Sequence, residues 1–448
     1  MPGSTSRSTA CSSGTHRCPI AIPPASASIS FTKLTVLLVL AMIHYRPGRR
    51  RHAALPASSL NNSLGAARRA RSRGGAAMLA LAGLVAWVLG PSCAAAAEQS
   101  FPAAQKQYQL VPSGAQAGNG QQGLQLKLVD APVRAPGQHE VVVRVHATSL
   151  NRHDVYVLKG QLRPGATGGF VPLSDGAGEV IALGSAVTRW HRGDRVAAIF
   201  FQSWVRGRPD ANTTSSALGS GGEGMLTQYV TLNEEGLVSL PAHLSFEEGA
   251  TLPCAAVTAW NGLVTRGGMQ AGDYVLLEGT GGVSMFGLQL AVAAGAKAII
   301  TSSSDAKLEL AKSLGAFGTI NYKKNPDWEN PVRALTQGVG VDQVLEVGGK
   351  DTLSHALASL APGGHVALIG GLGGFGGDLP TQALMLRNAT ASGMYVGSRE
   401  SFEAMNAFIS QHHLKPVIAK VFDFNDAQAA FDLMEAENFA GKIVVRVQ

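Results

Sequence analysis

Glu278-Gly279-Thr280-Gly281-Gly282-Val283-Ser284-Met285-Phe286-Gly287 is the stretch whose residue types and spacing best suit a chemical task. Glycines here would let the backbone turn tightly and approach a ligand closely. A helix starting at this point would offer unpaired N–H groups and a positive dipole end to an anion such as a pyrophosphate. Gly279 and Gly281 meet the first two needs. Ser284 stands where the third glycine of G-x-G-x-x-G usually stands, and it is small enough for close helix packing. Ser302 lies about 20 residues beyond the turn, where an acidic residue usually holds the ribose hydroxyls of NAD. Thr301-Ser302-Ser303-Ser304 and Lys307 would instead accept a 2′-phosphate, which a carboxylate would repel. Ser302, Ser303 and Lys307 therefore favour NADP(H) over NAD(H). The same serines could simply cap the next helix, and both roles are compatible.

A glycine-rich turn alone is weak evidence, so its flanks decide. Tyr274–Glu278 reads as a strand, Val283–Ala294 as a helix, Ala298–Thr301 as a strand and Asp305–Leu314 as a helix. Later strands are expected at Val341–Val347 and His365–Gly370, with a helix at Thr352–Leu360 between them. Buried apolar strands alternating with amphipathic helices imply a parallel, doubly wound sheet. Before residue 255 the rhythm differs. Glu140–His146 alternates as a strand, Gly176–Leu183 and Arg195–Phe200 suggest more short strands, and 206–224 reads as a surface loop. Lys442–Val447 is a final strand.

Composition narrows the class. Eleven of the 37 Lys/Arg residues and none of the 30 Asp/Glu residues precede Glu98, so the rest of the chain is mildly acidic despite a net charge of +7. No basic cluster interleaved with aromatics occurs there, which argues against nucleic-acid binding. Cys254 is the lone cysteine after residue 98, so an internal disulfide or a multi-cysteine metal site is excluded from that part. Residues 1–97 read as a basic leader. Arg68, Arg69, Arg71 and Arg73 precede the apolar run Met78–Leu89, a Gly90-Pro91 break and Ala94–Ala97, the pattern of an export signal cleaved before Glu98. An organellar transit peptide, an uncleaved leader on a cytoplasmic enzyme and a start codon further downstream are the other readings. No stable membrane anchor is expected after processing. The protein is periplasmic or exported if the leader is real, and otherwise cytoplasmic.

Residues 106–448 resemble the zinc-independent, quinone-oxidoreductase-like branch of the medium-chain dehydrogenase/reductase superfamily. The resemblance rests on Ser149–Tyr156, Gly176–Val180, Gly193–Val196, Thr258–Trp260, Gly279–Val283, Leu314–Ala316, Ile320–Tyr322, Pro362–Gly364 and Gly441–Ile443, in this order. It implies an α/β fold: a GroES-like, mainly β catalytic domain at 104–255 and 396–448, and a Rossmann dinucleotide-binding domain at 256–395. It also implies a homodimer. Further cofactor contacts follow from it at Thr258, Thr280, Gly282, Val283, Tyr322, Gly370, Gly371, Val396, Gly397 and Ser398. The positions of the family's three catalytic-zinc ligands fall on Asn151, Ser174 (with Asp175 beside it) and Cys254. An amide, a hydroxyl and one thiol do not make a three-ligand zinc site, so no zinc is expected. Cys254 is read as a small core residue.

Without a Lewis acid, an unactivated alcohol is hard to oxidise, whereas a quinone or α,β-unsaturated carbonyl already has an electrophilic carbon. The protein then needs hydrogen-bond donors where negative charge develops. Asn151 (amide donor), Tyr156 (hydroxyl donor and proton source) and Arg152 (nearby cation) are the catalytic candidates, with Asp154 ordering the segment. The expected function is NAD(P)H-dependent reduction of such small molecules. Zinc-free alcohol or aldehyde oxidoreduction, and NADPH binding without catalysis, are the alternatives.

Overall fold

A computed structural model describes residues 101–448 apart from 117–121, 163–168 and 377. The leader readings therefore fall outside the described residues. A hairpin opens the described part, with β1 (Ala104–Gln116) antiparallel to β2 (Gln122–Pro132). Next come β3 (Glu140–Leu150), β4 (Asp175–Leu183), β5 (Arg195–Ala198), β6 (Tyr229–Asn233) and β7 (Leu237–Ser239). Six strands then alternate with helices: β8 (Tyr274–Leu277), β9 (Lys297–Ser302), β10 (Gly318–Asn321), β11 (Val341–Glu346), β12 (Leu360–Leu368) and β13 (Thr390–Gly393). The last two strands are β14 (Ile418–Asp423) and β15 (Lys442–Arg446).

The six strands form one parallel sheet in the order β10-β9-β8-β11-β12-β13. Numbered from β8, this is 3-2-1-4-5-6, the doubly wound dinucleotide-binding order, whose ligand crevice opens between the first and fourth strands. Here that switch point lies between β8 and β11. Val275, Leu276, Leu277, Val344 and Leu345 are fully buried, which is why these strands read as continuous apolar runs. A seven-stranded sheet in the order β14-β15-β3-β4-β5-β7, with β6 also pairing β3, makes the second body. β15 returns from the chain's end to run antiparallel beside β3, bringing Val444 opposite Ser149.

Local bounds differ from the sequence reading where side chains are taken by tertiary partners. The helix read from Thr352 begins at Leu353, because the Thr352 hydroxyl donates to Glu346. β12 begins at Leu360, five residues earlier than expected. Leu360 pairs with Val341 across a register shift that lets the Pro362-Gly363-Gly364 turn bulge out. Ser304 occupies the N-cap of the helix Asp305–Ser313 without a side-chain hydrogen bond. The Asp305 carboxylate instead binds Asn321 Nδ2 at 2.7 Å and Lys324 Nζ at 2.6 Å.

Candidate active site

The switch point opens a cavity of about 660 Å³ that runs from the glycine turn to the seam between the two bodies. At one end the backbone does the work. Gly279 has φ +70°, which favours glycine, and neither it nor Gly281 has an atom within 4 Å of where a Cβ would stand. Both therefore leave open space beside the helix Gly282–Ala293, whose N-terminus faces the cavity. Close packing of that helix on the sheet falls to Gly287, where a Cβ would sit 2.8 Å from Leu277 and 2.9 Å from Leu345. Ser284 has a second role besides being small. Its hydroxyl donates to the Glu278 carbonyl at 2.6 Å and ties the helix start to the strand end.

Ser302, Ser303, Lys307 and Tyr322 line the same cavity further along. Ser302 is buried, 3.4 Å from the Thr280 hydroxyl, and no carboxylate replaces it at the end of β9. Lys307 Nζ donates to the Glu437 carbonyl at 3.1 Å, and burial lowers its pKa from the usual lysine range. Gly370, Gly371 and Val396 complete the wall. Gly397 and Ser398 stand apart from it: Gly397 packs on Val257 and Asn261, and the Ser398 hydroxyl caps the helix Arg399–Gln411.

Asn151, Arg152 and Tyr156 come together on the same cavity around the helix Arg152–Leu158, and Gly281 pairs with Gly441 beside them. The Asn151 backbone N–H donates to Asp154 Oδ2 at 2.7 Å, so Asp154 does order the turn. The Asn151 side chain points elsewhere. Its Oδ1 accepts from Lys442 Nζ at 2.5 Å, and its Nδ2 donates to Ser174 Oγ at 3.4 Å. Lys442 also donates to the Leu150 carbonyl at 2.7 Å and to Asp175 Oδ2 at 3.3 Å. All of these groups are buried, so the ammonium is fully supplied with acceptors. Burial pushes the Asp175 carboxyl up to about 6, against the opposing attraction of Lys442. Cys254 lies close by on the cavity wall, part-buried, with its thiol pushed well above the usual range by burial and then by Asp175. It is a poor nucleophile at neutral pH.

Short wide-turn helices, Leu252–Ala256 and Asn261–Arg266, flank Val257–Trp260 and set Cys254 and Thr258 against the cavity. The Thr258 hydroxyl donates back to the Cys254 carbonyl at 2.7 Å. Arg152 does not stand free as a cation, because its guanidinium pairs with Glu437 at 2.5 Å. Tyr156 lies 6.0 Å from the Phe375 ring, and His153, Phe200 and Tyr395 add a ring-lined wall. Burial pushes the Tyr395 hydroxyl up to about 12, so it stays a neutral donor.

Sequence reasoning passed over Lys442, Tyr395 and Glu278. In the sequence Lys442 stands within Gly441–Ile443 and opens the strand Lys442–Val447, with no local mark of a site residue. Of the residues at the three zinc-ligand positions, Asn151 binds the Lys442 ammonium, Ser174 binds Asn151 and Asp175, and Cys254 lines the same cavity. One thiol, a hydroxyl and an amide oxygen already bound to an ammonium make a poor ligand set for a zinc ion. Among the described residues no group of three or more His, Cys, Asp or Glu side chains is placed to hold a metal.

The family model described as an alcohol dehydrogenase GroES-like domain matches residues 137–242, and the one described as a zinc-binding dehydrogenase matches 282–411. A zinc-type alcohol dehydrogenase-like protein of Schizosaccharomyces pombe is 43% identical over 69% of this chain and 91% of its own length. A quinone oxidoreductase-like protein 2 homologue of Nematostella vectensis is 28% identical over 70% of this chain and 83% of its own. Among solved structures, an NAD-dependent alcohol dehydrogenase superposes with a TM-score of 0.68 and 32% identity, covering 76% of this chain and all of that one.

Proposed function

The chain belongs to the medium-chain dehydrogenase/reductase superfamily of NAD(P)-dependent oxidoreductases, and from that premise we propose that it reduces quinones or α,β-unsaturated carbonyls with NADPH, without zinc. The observation that carries this reading is the Lys442–Asn151–Asp175 cluster at the seam. Lys442 supplies there the positive charge that a metal would otherwise bring, but with all its protons committed it cannot ligate an alkoxide. It can only orient its neighbours.

The nicotinamide supplies hydride when bound. The chain's own residues hold the acceptor and receive the developing charge. One Asn151 N–H is taken by Ser174, and the other is the proposed donor to the acceptor's oxygen. Tyr156 and Tyr395 offer hydroxyls on the same wall, and Phe200 and Phe375 give flat apolar surface to a planar acceptor. Arg152, paired with Glu437, acts in this reading at the cleft's edge rather than on the reacting oxygen.

NADPH oxidation by purified chain should proceed with quinones and enones, and metal analysis should find far less than one zinc per chain. Turnover confined to simple alcohols or aldehydes would favour the zinc-free alcohol dehydrogenase alternative, and tight binding without turnover a non-catalytic role. Preference for NADPH is tested separately. Ser302→Asp places a carboxylate beside Thr280 and should reverse the preference. Like charges a few ångströms apart near a protein surface are worth a few kcal/mol, so NADPH affinity should drop by on the order of tenfold or more. An unchanged ratio of NADPH to NADH dissociation constants would remove Ser302 from the phosphate site.

A further inference from the structure

Glu278 immediately precedes the glycine turn and is buried, as is Glu346 at the end of β11. Glu278 Oε2 accepts the backbone N–H groups of Val347 and Gly348 at 3.2 and 3.3 Å. This clamps the turn after β8 to the loop after β11 across the switch point. Glu346 Oε1 is saturated by Gly348 N at 3.1 Å, Gly349 N at 2.8 Å and the Thr352 hydroxyl. Glu278 Oε1 is enclosed and accepts from no donor, and the Gly348 N–H, shared between Glu278 Oε2 and Glu346 Oε1, brings the two carboxyls together. The cavity's two lysines are engaged elsewhere, Lys442 with Asn151 and Asp175, and Lys307 with the Glu437 carbonyl. Glu346 is thus the charged group facing Glu278.

Two buried carboxyls held side by side cannot both ionise cheaply. An oxygen with no donor beside a second carboxyl is satisfied if it carries a hydrogen itself. We propose that Glu278 is a carboxylic acid sharing its hydrogen with Glu346, and that this one hydrogen locks the switch-point turn in its dinucleotide-binding form and makes cofactor affinity depend on pH. Burial first, and the charge of Glu346 second, drive the acid in that direction. The diphosphate of a dinucleotide at the helix N-terminus adds negative charge above the same turn, so binding favours the protonated pair. Removing the proton leaves two adjacent carboxylates beneath the turn and opens the clamp. Glu278 is a positioning residue here, acting through the two loops.

The inference rests on dinucleotide binding alone and not on the acceptor, so it stands or falls apart from the quinone or enone reading. The test is the NADPH dissociation constant of the full chain from about pH 6 to pH 10, with calorimetry in buffers of different ionisation enthalpy. Affinity should weaken as pH rises, approaching about tenfold per pH unit once the free protein loses the proton, with net proton uptake on binding there. Glu278→Gln copies the protonated form: its amide oxygen can accept from Val347 and Gly348 while its NH2 donates to Glu346. E278Q should bind NADPH as wild type does at low pH and lose far less affinity than wild type at high pH, where Lys307 also titrates. A flat wild-type profile, or an E278Q profile as steep as wild type, overturns the proposal. Should E278Q fail to fold, infrared spectra of wild type near pH 8 decide, since exposed carboxyls are then ionised. A carboxylic-acid C=O band supports the proposal, and no such band overturns it.

Discussion

Replacing Asn151 by Ala is expected to lower kcat for quinone or enone reduction by about 10²- to 10³-fold, the usual loss when one oxyanion donor is removed. The dissociation constant for NADPH should change far less than kcat, because the proposed Asn151 donor acts on the acceptor's oxygen and not on the cofactor. The size of the effect follows from where charge appears. Hydride arriving at an electrophilic carbon pushes negative charge onto a distant oxygen, and a fixed N–H in a water-poor cleft stabilises it without reorganising. The amide is fixed because Lys442 holds its oxygen at 2.5 Å and Ser174 one of its hydrogens. Asn151→Asp separates the two functions, since it keeps an acceptor for Lys442 and loses the donor. Its kcat should fall as far as that of N151A. Steady-state kinetics with equilibrium NADPH titrations read both values, and wild-type kcat in either variant would remove Asn151 from the reaction.

Lys442→Met should destabilise the protein by about 3–5 kcal/mol, because it leaves the Asp175 carboxylate buried and unpaired. Thermal unfolding should shift down by on the order of 10 °C. The double variant K442M/D175N, which removes the orphaned charge, should recover most of the loss while turnover stays low. A structural ion pair alone would not predict that split. Asp175 also leaves a pH signature. Its folded value of about 6 lies above the ordinary 3.8, so between those values the folded chain holds a proton that the unfolded chain has released. Stability from this group is therefore greatest below about pH 4 and falls by about 3 kcal/mol as pH rises through 6. Glu140, Glu234 and Glu247 are shifted the other way and mask the trend in wild type. The difference between wild type and Asp175→Asn, followed by chemical denaturation from about pH 4 to 7, isolates it. A difference independent of pH would contradict the shifted carboxyl.

Catalytic and cofactor residues differed in how far they could be read from the chain. Gly279, Gly281, Ser302 and Lys307 were legible because a strand, a tight turn and a helix follow one another within thirty residues, and each carries its own local signature. Gly397 and Ser398 were assigned by resemblance to a cofactor-facing segment. What surrounds Gly397 is visible only in the tertiary structure, where a Cβ would meet Val257 and Asn261, both remote in sequence. Arg152 reads as a nearby cation, and only the tertiary structure places Glu437, from the far end of the chain, beside it.

Alternation of apolar strands with helices determined the doubly wound sheet, and residue chemistry at Asn151, Ser174 and Cys254 set the expectation of chemistry without zinc. Both follow from short-range rules: side-chain period, turn conformation and ligand type. Tertiary structure alone decided what fills that place. Lys442 reaches Asn151 across 291 residues of sequence because β15 returns to pair with β3. Glu278 meets Glu346 because β8 and β11 are neighbours in the sheet and not in the chain. A buried charge is defined by its partners, and strand pairing between distant segments supplies them.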